Sequence, residues 1–263
     1  MVLDAMCSVK TVAGMAKTAY GQGMASEFDQ YVDSYKEIIN RGAAITGESF
    51  EYFIRLRLGT MAQELTAAAE PLPDRILDFG CGIGDTEIAM RERFPKAKID
   101  GIDSSPESIK AANRLGLSDV TFHYSEHTAL PFPAASFDVI YSNGTFHHID
   151  HAAHAAVLRE LARVLRPGGH LFVFENNPLN PLTVLNMRRN PFDKGAKMLA
   201  PWYLRKLERG AGMRARAPRY YVFFPKHLKA LRWSEKHLRR LPLGAQYYVW
   251  GTLPARGDGR ASA

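Results

Sequence analysis

Three stretches of this 263-residue chain carry residue types at spacings suited to chemistry. The first, RILDFGCGIGD, runs from Arg75 through Asp78 and then bares the main chain at Gly80, Gly82 and Gly84. Glycine at such a strand-to-helix turn suggests that a ligand lies so close to the backbone that a Cβ would keep it out, although a tight turn needs glycine too. The second, IDGIDSS, ends an apolar run on Asp103. A carboxylate there is placed to accept hydrogen bonds from both hydroxyls of a ribose, or else to cap the next helix. The third, GTFHHID, sets His147 and His148 after another apolar run. An imidazole can take a proton from a hydroxyl or an ammonium near neutral pH. Glu175 and Asn176, at the end of HLFVFEN, add groups that could orient a polar acceptor or take its proton.

The spacing also excludes chemistry. A dinucleotide fingerprint needs a third glycine where this chain has Asp85, and a phosphate-gripping loop needs a lysine that is absent. His147, His148 and Asp150 do not form a ligand set spread over a rigid scaffold, so no metal is expected. Two cysteines, Cys7 and Cys81, give neither a disulfide framework nor a thiolate cluster, and point to a reducing, cytoplasmic setting. No run of 18 apolar residues is free of charge, and residues 1–25, without an apolar signal core, read as a flexible arm.

The elements that must hold these residues follow from periodicity. Residues 26–40 and 48–66 carry apolar residues at helical spacing, the second from a Ser49 cap, and PLPD closes this N-terminal helical unit near residue 70. From Arg75 the pattern alternates: strands at 75–79, 98–102, 120–123, 137–141 and 170–174, with helices at 85–94, after Ser105 and Pro106, and at 151–165, the last stopped by RPGG. Such alternation predicts an α/β fold with a mostly parallel sheet and helices on both faces. A helix near 200–209, two aromatic strands near 217–224 and 246–251, a helical stretch between them and a flexible tail at 253–263 complete the reading.

Taken in order, ILDFGCGIGD, IDGIDSS, LPFPAASFDVIYSNGTFHHI and LRELARVLRPGGHLFVFE resemble the core of the class I S-adenosylmethionine-dependent methyltransferases. The likeness covers roughly residues 75–175. It implies a Rossmann-like, seven-stranded sheet over residues 71–252, an N-terminal helical lid over 26–70, and S-adenosyl-L-methionine as cofactor. By the same resemblance, Asp78 and the run Gly80, Cys81, Gly82 to Gly84 approach the methionine portion. Asp103 takes the ribose, with Ile102 and Ser104 beside the adenosine, and Asn143 and Gly144 present backbone at the end of the fourth strand. Glu126 and His127 fall at the adenine edge, where the family commonly has Asp and Ala. Phe28, Tyr31 and Tyr35 are candidate aromatic neighbours of the sulfonium. His147, His148 and Glu175 are the candidate catalytic residues.

The region after Glu175 is where an acceptor would be chosen, and the basic residues gather there. Residues 186–240 hold 16 Lys and Arg against 3 Asp and Glu, whereas the net charge of the whole chain is only +7. On a helical wheel, 226–241 puts Leu231, Leu238 and Leu241 on one side and six basic residues with Trp233 on the other. Such a helix either packs its leucines on the sheet or lies at an anionic membrane surface. Segments 177–199 and 226–241, with Arg188, Arg189, Tyr220 and Tyr221, are the expected determinants of acceptor choice. A small or lipid-like acceptor is expected, with O, N or C as nucleophile. Nucleic-acid or protein methylation, and cofactor binding without catalysis, are the alternatives; SNGT after the fourth strand lacks the Pro-Pro-aromatic pattern of base-methylating enzymes.

Overall fold

A computed structural model describes residues 35–125 and 129–255. Its centre is one sheet in the order β3-β2-β1-β4-β5-β8-β6, with β7 also paired to β8. Strands β1 (Arg75–Phe79), β2 (Lys98–Asp103), β3 (Val120–Tyr124), β4 (Phe137–Asn143) and β5 (Leu165–Asn176) run parallel. The last strand, β8 (Gln246–Thr252), is antiparallel to β5, to β6 (Arg214–Ala215) and to β7 (Arg219–Tyr221). The expected Rossmann-like α/β architecture is therefore present.

The alternation of side chains along the strands builds two cores. On one face Leu77, Phe79, Phe137 and Leu171 pack with Val157, Leu158 and Leu161 of helix α5 (His154–Val164) and Leu204 of α7 (Pro201–Gly210). On the other, Ile76, Ile99, Phe172 and Phe174 meet Ile54, Leu58, Met61 and Leu65 of α2 (Phe50–Ala67) and Met90 of α3 (Asp85–Arg93). Each such fully buried leucine contributes about 1.5–3 kcal/mol. Helix α2 begins where expected, with the Ser49 hydroxyl accepting the Tyr52 N–H. The first helix is α1 (Tyr35–Ala43), and Lys36 ties it to Asp85 at the start of α3 at 2.7 Å.

Three expectations need correction. Strand β5 starts at Leu165 rather than after RPGG, because Gly168, at φ 84°, lets the chain bulge and rejoin the same ladder. The single strand expected near 217–224 is two short ones, interrupted around Pro218, which has no N–H for the ladder, so the sheet has eight strands instead of seven. Residues 226–241 do not form one regular amphipathic helix: a 3-10 helix, Lys226–Ser234, is broken at Leu228 before the single turn of α8 (Glu235–Leu238). Two of its charges are also turned inward. Arg232 pairs with Glu48 and Arg239 with Glu64, both toward α2, while Leu228, Leu231 and Trp233 face solvent.

Segment 177–199 contains α6 (Pro181–Arg189). Asn180 caps it through the N–H groups of Leu182 and Thr183, and Pro181 takes the first helical position. The expected flexible arm, Phe28, Tyr31, the adenine-edge pair Glu126 and His127, and residues 256–263 of the tail lie outside the described residues. Of Tyr35 only the backbone, at the start of α1, is described. No helix among the described residues is long and apolar enough to cross a membrane.

Candidate functional site

All the parallel strands end on one edge of the sheet, and there the chain encloses a cavity of about 410 Å³. In open α/β sheets this carboxyl edge is where ligands bind. Its wall brings together Gly80, Gly82, Asp103 and Ser104 from the first two strand ends, Asn143, Gly144, His147 and His148 after β4, and Glu175 and Asn176 at the end of β5. Ile39, Phe50, Phe53 and Arg57 cover it from α1 and α2, so the N-terminal helices do form a wall of the site.

The glycine loop is shaped by two demands. Gly80, Gly82 and Gly84 all have positive φ, at 85°, 55° and 87°. A Cβ at Gly80 would stand 2.1 Å from Thr145 Oγ1, and one at Gly84 would meet Leu115 at 2.8 Å. Those two glycines are bare because the chain's own side chains press on them. Gly82 instead faces the cavity, and its N–H donates to Asp103 Oδ2 at 2.9 Å. The Ser105 N–H holds the other oxygen, Oδ1, also at 2.9 Å. Two main-chain donors thus fix the Asp103 carboxylate on the cavity wall, and each oxygen retains a lone pair for a further donor.

A smaller recess adjoins the cavity, lined by Asp78, Cys81, Asp85, Thr86 and Tyr141. Asp78 is buried; burial and the charge of Asp103 push its pKa up to about 8. Glu87 beside it is pushed well up by burial and by the charge of Asp78. A buried acid pair of this kind is poised to receive a cationic group. Gly84 and Ile102, named as cofactor neighbours from the sequence, line neither space: Ile102 is 1% exposed in the core.

The histidine loop is a short 3-10 helix, Phe146–His148, pinned by His154, whose Nε2 contacts the Phe146 and Ile149 carbonyls. His147 is buried, with Nδ1 2.6 Å from Glu175 Oε2, while Glu175 Oε1 accepts the Phe146 N–H at 3.0 Å. Its Nε2 lies 3.4 Å from Asp193 Oδ1. Burial lowers the pKa of His147, but the charge of Glu175 and the contacts with Asp193 and Glu175 outweigh it and lift the value to about 10. His148 is the more open ring, with Nε2 3.8 Å from the same Asp193 oxygen. Asp150, considered with these histidines in the sequence, instead accepts the Ala152 N–H.

The site also contains residues that sequence reasoning missed. Asp193 sits in NPFD, inside the expected acceptor segment, but nothing in its spacing linked it to the histidines. Arg57 is buried on α2, donating from Nε to Tyr141 Oη at 3.0 Å and from a terminal nitrogen to Gln246 Oε1 at 3.4 Å. Its place on an apolar helical stripe concealed it. Segment 177–199 supplies Asn180, Thr183, Asn186, Met187 and Asp193 to the cavity, whereas none of residues 226–241 lines it. Arg188, Arg189, Tyr220 and Tyr221 do not line it either; the neighbouring Val222 and Phe223 do.

Comparison with known proteins agrees with this geometry. A methyltransferase-domain family model matches residues 76–169. The 27-O-demethylrifamycin SV methyltransferase of Amycolatopsis mediterranei is 40% identical over 103 residues, which cover 37% of each chain. The trans-aconitate 2-methyltransferase of Azoarcus sp. is 33% identical over 183 residues, covering 65% of this chain and 66% of that protein. The chain therefore spans between about a third and two thirds of the length of these curated relatives. Among solved structures, an S-adenosylmethionine-dependent methyltransferase of Thermotoga maritima, described as a possible histamine N-methyltransferase, superposes with a TM-score of 0.59 at 22% identity. That superposition covers 86% of this chain and 98% of the other, and shows the shared fold. With its glycine loop, its strand-end acid and these relatives, the chain belongs to the class I S-adenosylmethionine-dependent methyltransferase family.

Proposed function

We propose that the protein transfers the methyl group of S-adenosylmethionine to an oxygen, nitrogen or carbon nucleophile of a small or amphiphilic molecule. One observation carries this reading: Asp103 and the His147–Glu175 pair line the same cavity. The residues present fit the cofactor. Asp103, already fixed by two N–H groups, suits the ribose hydroxyls, and the buried acid Asp78 beside the small recess suits the ammonium of the amino-acid part. When bound, the cofactor supplies a methyl group on a positively charged sulfur, with a neutral thioether as leaving group.

The chain's own tasks are to orient the acceptor, keep water away and manage a proton. Helices α1 and α2 cover the cavity, with Phe50 and Phe53 as apolar cover. The cluster of His147, His148, Glu175 and Asp193 forms its most polar end, where a hydroxyl, amine or enol is held and its proton received. Glu175, buried itself, fixes the His147 ring. Arg57 keeps a guanidinium at the cavity, bonded to the neutral side chains of Tyr141 and Gln246, which suits a carboxylate on one of the two ligands.

The rim supports an amphiphilic acceptor. Leu182 on α6 and Leu241 and Leu243 after α8 are 71%, 46% and 65% exposed, and Asn180 joins the two segments by donating to the Leu243 carbonyl. Leu231 and Trp233 are exposed as well, on the segment that carries the exposed Lys226, Lys229, Lys236 and Arg240. Apolar area with nearby cations favours peripheral contact with an anionic membrane.

The test is incubation of the purified protein with methyl-labelled S-adenosylmethionine and a panel including demethylrifamycin SV, trans-aconitate and fractionated cell metabolites. Label in a small-molecule product is expected. Calorimetry with S-adenosylhomocysteine runs alongside: binding without any transfer points to a non-catalytic cofactor protein, and no binding removes the reading altogether.

A further inference from the structure

Two histidines and a carboxylate from separate parts of the chain converge beside the acceptor space. We propose that His147 Nε2, His148 Nε2 and Asp193 Oδ1 form a site for one divalent first-row transition-metal ion, with zinc or manganese as the natural class, and that its open positions face the cavity to hold an oxygen of the acceptor.

Four observations support this. The three ligand atoms lie within 4.8 Å of one another, and Asp193 Oδ1 is 3.4 Å from one imidazole nitrogen and 3.8 Å from the other. Separations of this size are those of neighbouring ligands around an ion with bonds of roughly 2.0–2.2 Å. Two of the three ligands are also oriented from behind. The far nitrogen of His147 is held by Glu175 at 2.6 Å, a carboxylate–histidine pair of the kind that sets a metal-binding tautomer. Asp193 accepts the Asn190 side-chain N–H through Oδ2 at 2.8 Å, which leaves Oδ1 aimed at the histidines.

The third observation is charge. Two carboxylates, Glu175 and Asp193, stand around this small space with the His147 ring as the partner of both, and no lysine or arginine pairs with either among the described residues. A divalent ion at Nε2 takes the place of the proton that His147 carries there, and its uptake releases that proton. The fourth is placement. All three candidate ligands line the cavity, and His147 is anchored to the acceptor segment because its carbonyl accepts the Lys197 N–H at 3.0 Å. Two imidazoles and one carboxylate leave coordination positions open, as a site that takes up a substrate oxygen requires. A bound hydroxyl would ionise more readily there, because a metal lowers the pKa of an oxygen acid it holds.

The part played by the acceptor oxygen rests on the methyl-transfer reading; the ion site itself does not, and its test needs no turnover. Protein without a histidine tag, stripped with chelator, is titrated calorimetrically with Zn²⁺ and with Mn²⁺, and separately with Co²⁺ while visible absorption is recorded. One ion per chain is expected. Asp193→Ala and His148→Ala should each weaken it by about 10–100-fold or more, and Glu175→Gln by about 10-fold through the ring it orients. Asp193→Asn keeps the fold contacts of Asn190 within reach and guards against loss of binding by unfolding, which thermal melting reads directly. Absence of stoichiometric binding to the wild type, or binding that Asp193→Ala, Asp193→Asn and His148→Ala all leave unchanged, overturns the proposal.

Discussion

Removal of the Asp103 carboxylate is the perturbation whose size the structure sets most clearly. Both oxygens are held by main-chain N–H groups, from Gly82 and Ser105, each at 2.9 Å, and the same oxygens face the cavity. If each receives one ribose hydroxyl, Asp103→Ala loses two hydrogen bonds to a charged acceptor, each contributing about 1.5–3 kcal/mol. The sum, about 3–6 kcal/mol, corresponds to roughly 150-fold to about 20,000-fold weaker binding at about 1.4 kcal/mol per factor of ten. Asp103→Asn keeps one acceptor and should lose about 10–100-fold. Calorimetric titration with S-adenosylhomocysteine measures this. A second titration with 5'-methylthioadenosine, which keeps the ribose and lacks the amino acid, should show the same ratio between wild type and variant. A change below about threefold in Asp103→Ala, in protein that still melts cooperatively, would refute the reasoning, since one hydrogen bond to a charged group already exceeds it.

Other consequences follow from the same structure. Gly80→Ala places a Cβ 2.1 Å from Thr145 Oγ1 at a φ of 85°, and should cost about 2–4 kcal/mol in denaturant unfolding through overpacking and left-handed strain; wild-type stability would contradict the packing described. Glu208 is fully buried against Gly251 and Met213 with no hydrogen-bond partner for its oxygens among the described residues, and burial pushes its pKa well up. Its protonated form is the one the fold accommodates, so the native protein loses stability as pH rises above the ordinary glutamate range. Glu208→Gln should therefore raise the melting temperature at pH ~8 and change it little at pH ~3.5, where the unfolded chain is also largely protonated. Equal effects at both values would count against this. Leu231 and Trp233, 44% and 71% exposed, lie outside the cavity lining, and the double variant Leu231→Ser, Trp233→Ser should reduce sedimentation with phosphatidylserine-containing vesicles severalfold without altering S-adenosylhomocysteine affinity. Unchanged sedimentation would remove the membrane contact.

Much of the fold was legible because its signals are local. The alternation of apolar runs with Gly-rich turns placed β1 to β4 within two residues of their observed ends, and Ser49 and Ser105 marked helix starts that the structure repeats. What failed was non-local. The bulge that takes Gly168 into β5 and the break at Pro218 depend on the neighbouring strands rather than on periodicity. The wheel for 226–241 misjudged its faces because Arg232 and Arg239 have acidic partners just before and on α2, some 175–184 residues away in the chain. The same holds at the site. Asp103, His147, His148 and Glu175 could be read from strand ends, whereas Asp193 and Arg57 come to the cavity only through tertiary packing.

A crystal structure grown with S-adenosylhomocysteine tests the central reading most directly. The expected density has the ribose hydroxyls on Asp103, the amino-acid end in the recess beside Asp78, and the sulfur turned toward the His147–His148 end of the cavity. A nucleoside bound elsewhere, or seated with its sulfur away from those histidines, would contradict it.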